Sequence, residues 1–172
     1  YDGINIPIDG TPPTLQFYTD RGPEGSNNWF HGDVTVTISA GDATSGVAGV
    51  VYRINGGDWQ AYTGAFPVNG DGVYNIDAVV QDNAEHPTSC SFTVTICRTP
   101  PQTTLVVDAT VGQNDWLTTT PTISLLAGYN ASGVAQTMII LDGVEQVYTG
   151  PIVVHGEGEH TVSYYSVDYA GN

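Results

Sequence analysis

The sequence repeats itself once over most of its 172 residues. Trp29 recurs as Trp116, and Ser45-Gly46-Val47-Ala48 recurs as Ser132-Gly133-Val134-Ala135, in both cases 87 residues later. A period of this length is that of a whole small domain, because solenoids and propellers repeat about every 20–50 residues. The chain is therefore predicted to contain two domains of one fold.

Each copy consists of short apolar-alternating segments separated by turn signals such as Asn55-Gly56-Gly57-Asp58. Strands are predicted at residues 14–18, 34–39, 49–54, 59–62, 65–68, 73–80 and 91–96, and then at 104–107, 122–126, 137–141, 146–148, 152–154 and 160–167. Seven short strands in under a hundred residues are typical of an immunoglobulin-like sandwich. The predicted fold is all-β, with two tandem immunoglobulin-like β-sandwiches, the second lacking its own last strand. Residues 1–10 are predicted to be an N-terminal donor strand and linker, 11–97 the first domain and 98–172 the second.

The order of the motifs resembles that of a family of bacterial and archaeal immunoglobulin-like repeats. The pattern is Pro-Pro, a Trp, an Asp-x-x-Ser-Gly loop, Tyr-Thr-Gly, an acidic-Gly turn and a final Asp-x-Ala-Gly-Asn, here Asp168 to Asn172. The resemblance implies a non-catalytic module of S-layer proteins, adhesins and other surface polypeptides, or an appendage of secreted glycoside hydrolases. The chain departs from the pattern at Tyr129-Asn130, in place of the loop Asp kept as Asp42, and at Glu85-His86, in place of Gly-Asn.

The charge is strongly negative, with 18 acidic residues against three basic ones and a formal net charge of −15. Nucleic acid is excluded as a partner because its binding requires Lys and Arg to neutralise phosphates. The three basic residues are Arg21, Arg53 and Arg98, so the chain has no Lys for the Lys–Asn isopeptide bonds that some pilins use. No apolar run reaches the length of a transmembrane segment. We expect an extracellular or cell-surface protein.

No catalytic motif accompanies the four histidines, His31, His86, His155 and His160. A Gly-x-Ser-x-Gly elbow and a paired catalytic-acid motif are both absent from the sequence, so we expect no enzymatic activity. The run from His155 to His160 has the composition of a metal site. It overlies residues 69–74 of the first copy, however, where a hairpin turn explains the same glycines and acids, and the turn interpretation is preferred.

A calcium site is predicted at one end of the first domain. In immunoglobulin topology the incoming linker and two loops meet there, which would gather Asp9, Asp42, Asp82 and Glu85. Calcium takes six to eight oxygen ligands, which fits a carboxylate cluster. In the alternative interpretation Asp42 and Asp82 hydrogen-bond the backbone of their own turns.

Two glycan-related hypotheses also arise. Three Trp and ten Tyr are enough aromatic residues for a carbohydrate-binding face, although Trp29 and Trp116 recur at one repeat position, as packing residues would. Asn130-Ala131-Ser132 is an N-glycosylation sequon on a predicted loop. Carbohydrate binding is the alternative function, with the chain as a tandem spacer or binding module of a larger surface protein or secreted glycoside hydrolase.

The two cysteines, Cys90 and Cys97, flank the last strand of the first domain. Seven residues of straight strand separate their Cα atoms by roughly 23 Å, at about 3.3 Å per residue. A disulfide requires about 4.4–6.8 Å. They are therefore predicted not to be bonded to each other, leaving free thiols or bonds to another chain.

The first residues match the last strand of the first domain rather than its first strand. Ile4, Ile6 and Ile8 precede Asp9-Gly10-Thr11-Pro12-Pro13, just as Phe92, Val94 and Ile96 precede Cys97-Arg98-Thr99-Pro100-Pro101; this is an alignment at a spacing of 88 residues. Residues 2–9 are thus predicted to complete the second domain of another copy by β-strand addition, building a homopolymeric filament head to tail. Pro7 is compatible with an edge strand. The alternative is that the sequence is an excerpt of a longer covalent array.

Overall fold

The computed structural model describes residues 3–172; the first two residues of the chain, which include Asp2 of the predicted donor strand, lie outside the described residues. The chain is all-β within that range, and its helical turns are two short 3-10 turns, Ser26–Asn28 and Gln113–Asp115. No helix in this part of the chain has the length and apolar character needed to cross a bilayer. The chain divides into two compact units, the first comprising residues up to 23 and 32–96 and the second comprising 24–31 and 97–172.

The first unit is a sandwich of two antiparallel sheets. Its strands are β1 (Thr14–Thr19), β3 (Val34–Gly41), β4 (Val47–Ile54), β5 (Gln60–Ala61), β6 (Phe66–Val68), β7 (Gly72–Asp82) and β8 (Pro87–Ile96). One sheet contains β1, β3 and β6 in that order, and the other contains β8, β7, β4 and β5. Phe17 of one sheet stacks on Phe92 of the other, with ring centroids 5.4 Å apart. The apolar alternation of the strands thus fills the space between two sheets.

The second unit repeats this plan with one strand fewer. Its two sheets consist of β9 (Thr103–Asp108), β10 (Thr122–Ala127), β11 (Val134–Leu141), β12 (Val144–Val147), β13 (Ile152–Val153) and β14 (Val162–Asp168), and the two-residue strand β2 (Trp29–Phe30) belongs to neither of them. One sheet contains β13, β10 and β9, and the other contains β12, β11 and β14. Ile123, Leu125, Ile139 and Val154 form its buried core. The immunoglobulin-like sandwich fold predicted from the sequence is therefore observed.

Residues 24–31 depart from the predicted domain boundaries. The sequence places them in the domain spanning 11–97, but they form part of the second compact unit. Phe30 is buried there at 3% exposure, and its carbonyl oxygen accepts a hydrogen bond from the Cys97 N–H at 2.9 Å. The repeat predicts the fold of each half of the chain, but it does not predict to which compact unit the segment between β1 and β3 belongs.

Cys90 and Cys97 are not bonded to each other, as predicted. Cys90 is half-buried on β8, and Cys97 is buried at the start of the main segment of the second unit. The Cys97 thiol donates to Asp168 Oδ2 at 3.5 Å. Its position is therefore that of a small buried side chain in the core, in contact with a carboxylate.

Candidate assembly site

The predicted donor strand makes no strand pairing in the described part of the chain. Residues 3–9 precede the first strand and belong to no strand or helix. Ile4, Ile6 and Ile8 are 86%, 73% and 81% exposed. Three large apolar side chains at alternate positions of an unpaired segment are thus exposed together, and a concentration of exposed apolar side chains marks an interaction site.

The predicted acceptor is the free side of β14. In the first unit β7 lies between β4 and β8, whereas β14 pairs only with β11 among the strands that the structure describes. The strands β7 and β14 correspond at a spacing of 86 residues, which aligns Asp82 with Asp168. The second unit therefore has an open sheet edge at the position that β8 occupies in the first unit.

The inward face beside this edge is incompletely covered. Ala78 on β7 is 1% exposed, whereas Tyr164, at the same position of β14, is 36% exposed. Ile76 is fully buried, whereas the matching Val162 is only half-buried, against the edge of the core. The first unit covers these positions with its last strand, and the second unit leaves them open.

The acidic residues predicted to bind calcium are only partly brought together. Asp9, Asp82 and His86 each place one ligand atom within 4.8 Å of one another, and this group, within the described range, contains neither Asp42 nor Glu85. Asp42 Oδ1 instead accepts the N–H groups of its own turn, including that of Gly46 at 2.7 Å. This is the alternative that the sequence had left open for Asp42.

Asp9 joins the linker to that turn. Its carboxylate accepts the Ser45 N–H at 3.0 Å and the Thr11 N–H at 2.9 Å. Hydrogen bonds from Ser45 and Thr11 hold the pKa of Asp9 below its ordinary value. Asp9 is thus part of the folded first unit, although it directly follows the unpaired segment.

In the second unit a carboxylate at the position of Asp82 makes corresponding hydrogen bonds, but to neutral side chains. Asp82 Oδ2 lies 3.0 Å from His86 Nδ1, and correspondingly Asp168 Oδ2 accepts the Asn172 side-chain N–H at 2.9 Å. His86 therefore occupies the position of a hydrogen-bonding amide, and Cys97 occupies that of Asp9. The match favours a structural role for both carboxylates, because the second unit makes the same contacts without a set of charged ligands.

Asp168 lies at the centre of this hydrogen-bonded cluster in the second unit. It is 2% exposed and accepts hydrogen bonds from the Asn130 and Asn172 side chains at 2.7 and 2.9 Å. Burial alone would raise the pKa of Asp168, but hydrogen bonds from Asn172, Asn130 and Ser132 outweigh it and hold that pKa below its ordinary value. The carboxylate therefore remains ionised in the interior by accepting hydrogen bonds.

Asn130 is the residue of the second copy that takes the place of Asp42. Its Oδ1 accepts the Gly133 N–H at 3.0 Å, as Asp42 accepts that of Gly46. Its side-chain nitrogen, the atom that glycosylation would modify, donates to Thr99 O at 2.6 Å and to Asp168. Glycosylation at Asn130 would have to replace these two hydrogen bonds, and it stays a prediction.

The histidine run of the second copy forms a turn with one ion pair. His160 Nδ1 lies 2.7 Å from Asp142 Oδ2, which raises the pKa of His160. Gly156 and Gly158 have positive φ angles of 107° and 120°, as expected for a glycine-dependent turn. No group of three metal-binding side chains includes this run among the described residues.

The calcium hypothesis has a direct test. We expect a chelator to leave the melting temperature of the first unit unchanged within about 1 °C, because hydrogen bonds satisfy both Asp42 and Asp82. Thermal unfolding followed by circular dichroism, with EDTA and with added calcium, measures this. A rise in melting temperature that needs calcium and is lost in an Asp9→Asn variant would instead support the site predicted from the sequence.

No family model and no curated protein matches this chain. Among solved structures it is similar to the fibronectin(III)-like modules of CbhA from Clostridium thermocellum. The identity is 15% and the TM-score 0.40, over 91% of this chain and 87% of that one.

Proposed function

We propose that this protein is an extracellular, non-catalytic structural subunit that polymerises head to tail, each copy donating residues 2–9 to the second unit of the next. The observation that carries the proposal is that one chain contains both an unpaired apolar segment and an open sheet edge. The segment with Ile4, Ile6 and Ile8 is unpaired and exposed, and among the described strands β14 has no partner on the side where β7 pairs with β8.

The first unit supplies the register of the proposed contact. There β8 runs antiparallel to β7, with Phe92 opposite Ile76, Val94 opposite Tyr74 and Ile96 opposite Gly72. Transferred by the repeat, Ile4 lies opposite Val162, Ile6 opposite His160 and Ile8 opposite Gly158. The donated strand therefore extends the pairing beyond the present start of β14, at Val162.

The contact offers both apolar burial and main-chain hydrogen bonds. Val94 and Ile96 are fully buried in the first unit, and Ile6 and Ile8 take their places in the second. Each isoleucine contributes roughly 1.5–3 kcal/mol if fully buried. Each main-chain hydrogen bond adds about 0.5–1.5 kcal/mol.

Deleting residues 1–8 of the full chain tests this function. Asp9 is retained because it binds Ser45 and Thr11 within the first unit. We expect the deletion to abolish filaments in electron micrographs, because the remaining chain has an acceptor edge but no donor strand. An unchanged circular dichroism spectrum controls for folding.

A synthetic peptide of residues 1–8 extends the test to the unaltered protein. In excess it should occupy β14 and shorten the filaments, whereas the same peptide with Asp at position 6 should not. Filaments that persist after the deletion would contradict the proposal. If the native material is instead one long polypeptide that boiling in detergent does not shorten, the strand completes the preceding unit within a covalent array, as in the spacer alternative.

A further inference from the structure

Residues 111–118 of the second copy repeat the conformation of residues 24–31. The Gly25 N–H donates to Trp29 O at 2.9 Å, and the Gly112 N–H donates to Trp116 O at 2.7 Å. Each segment contains a 3-10 turn with a left-handed asparagine, Asn27 in one and Asn114 in the other. The two loops thus have one shape, set by local sequence.

The loop of residues 24–31 packs against Cys97 and Ala170 of the second unit. Besides the bond from the Cys97 N–H to Phe30 O, Gly25 lies directly against Ala170, which is fully buried. A Cβ atom on Gly25 would lie 2.5 Å from Ala170 Cα, so a glycine is required at this contact. The seat therefore consists of a backbone N–H at Cys97 and a small side chain at Ala170.

The second loop has the same shape but no such cover in the described part of the chain. Trp116 is 58% exposed and Leu117, the counterpart of Phe30, is 41% exposed. Val111 at the start of the loop is also exposed. Three apolar side chains on a preformed loop are thus left open to solvent, whereas the matching loop of the first copy is packed.

A matching seat is present on the first unit. Asp9 corresponds to Cys97, and Ala84 corresponds to Ala170. The turns around the two alanines have the same hydrogen bonds: the Glu85 N–H donates to Asp82 O, and the Gly171 N–H donates to Asp168 O. Ala84 is nevertheless only half-buried, whereas Ala170 is fully buried.

We propose that the 111–118 loop of one subunit packs on Asp9 and Ala84 of the neighbouring subunit, the one that donates its strand to the first. Leu117 O would accept the Asp9 N–H, and Gly112 would lie against Ala84. This inference rests on the proposed donor-strand assembly and adds a second, rigid contact to it. The occupant is a second copy of this chain, because the matching loop in the second unit is packed on the same seat.

The position of the donor strand supports the same contact. The proposed register places Ile8 beside Gly158, and Gly158 lines an open groove whose other wall includes Trp116 and Leu117. Asp9 follows Ile8 directly, so the incoming chain reaches the loop as soon as its strand is paired. One approach of the subunit therefore makes both contacts.

Hydrogen exchange of the full chain separates the two contacts. Filaments are compared with the Ile6→Asp variant, which should remain monomeric. We expect amides of residues 158–168 to exchange at least tenfold more slowly in filaments, and amides of 111–118 and 83–85 to do so as well. Filaments in which residues 158–168 are protected but residues 83–85 exchange as in the monomer would overturn the loop contact and leave the donor strand standing. The absence of filaments, or of protection at both places, would overturn both.

Two substitutions with matched controls test how much the loop contact contributes to the melting temperature and stiffness of the filaments. Leu117→Asp and Ala84→Arg should leave filaments that melt at a lower temperature and bend more, because only the strand then joins the copies. Leu126→Asp, at an exposed leucine of β10, and Ala61→Arg, at an exposed alanine of β5, should leave both properties unchanged. Equal melting temperature and stiffness for the test and control variants would overturn the inference.

Discussion

Replacing Ile6 by aspartate will abolish polymerisation while leaving both compact units folded. Ile6 is 73% exposed in the described chain, so the change removes no packing from the subunit itself. In the proposed filament the change would remove an isoleucine worth roughly 1.5–3 kcal/mol when buried and would place a carboxylate between two sheets. A combined loss of about 4 kcal/mol weakens each junction about a thousandfold.

The measurement is the critical concentration for filament growth, by sedimentation and electron microscopy. Ile6→Val controls for the substitution itself and should still polymerise, because it shortens the side chain by one methylene. Val144→Asp controls for added charge, since Val144 is an exposed apolar residue on β12, the strand at the other side of β11. An Ile6→Asp protein with the critical concentration of the wild type would contradict donor-strand assembly.

Replacing Asp168 by alanine is expected to destabilise the second unit by about 3 kcal/mol, because it leaves buried donors without an acceptor. The side chains of Asn130 and Asn172 and the Asn172 backbone N–H all donate to this carboxylate. Asp108→Ala, at an exposed position of β9, is the matched control and should change stability by less than about 0.5 kcal/mol. Native-state hydrogen exchange measures each unit separately.

The lowered pKa of Asp168 predicts that the stability of the second unit depends on pH. Its folded pKa lies below the ordinary value of 3.8, so the stabilisation is fully present above that value and is lost as the pH falls through the folded pKa. The Asp168→Ala variant should therefore lose less stability on acidification than the wild type. Equal acid sensitivity, together with unchanged stability at pH 7, would mean that Asp168 is not the centre of the group.

The sequence predicts the sandwiches because their signal is local. Val34, Val36 and Ile38 alternate on β3 and are buried as that alternation requires. The repeat also predicts the open edge of β14, since Val94 and Ile96, on the strand that pairs with β7, have counterparts only in Ile6 and Ile8. A period-two pattern and an internal alignment are sufficient for both conclusions.

The remaining features depend on contacts between distant residues. His86 joins Asp9 and Asp82 because it takes the place of Asn172, and a histidine in place of an asparagine gives no sign of that role in sequence. Glu85 stands where Gly171 has a φ of 91° and itself adopts a φ of 68°, which a glutamate would not be predicted to do. A tight turn holds that conformation, in which the Glu85 N–H donates to Asp82 O at 3.2 Å and the Asp82 N–H donates to His86 O at 3.2 Å.

Under the proposed assembly, the unpaired segment also determines which step limits the rate of filament elongation. The described strands of the first unit all lie between residues 14 and 96, so none of them belongs to the segment that the subunit would donate. Domain swapping opens a finished structure first, but here no donor contact has to break before a copy is added. The barrier to elongation would then lie with the acceptor, where residues 158–161 must straighten and Tyr164 must repack. Elongation would accordingly be controlled by the mobility of one turn rather than by unfolding of the incoming subunit.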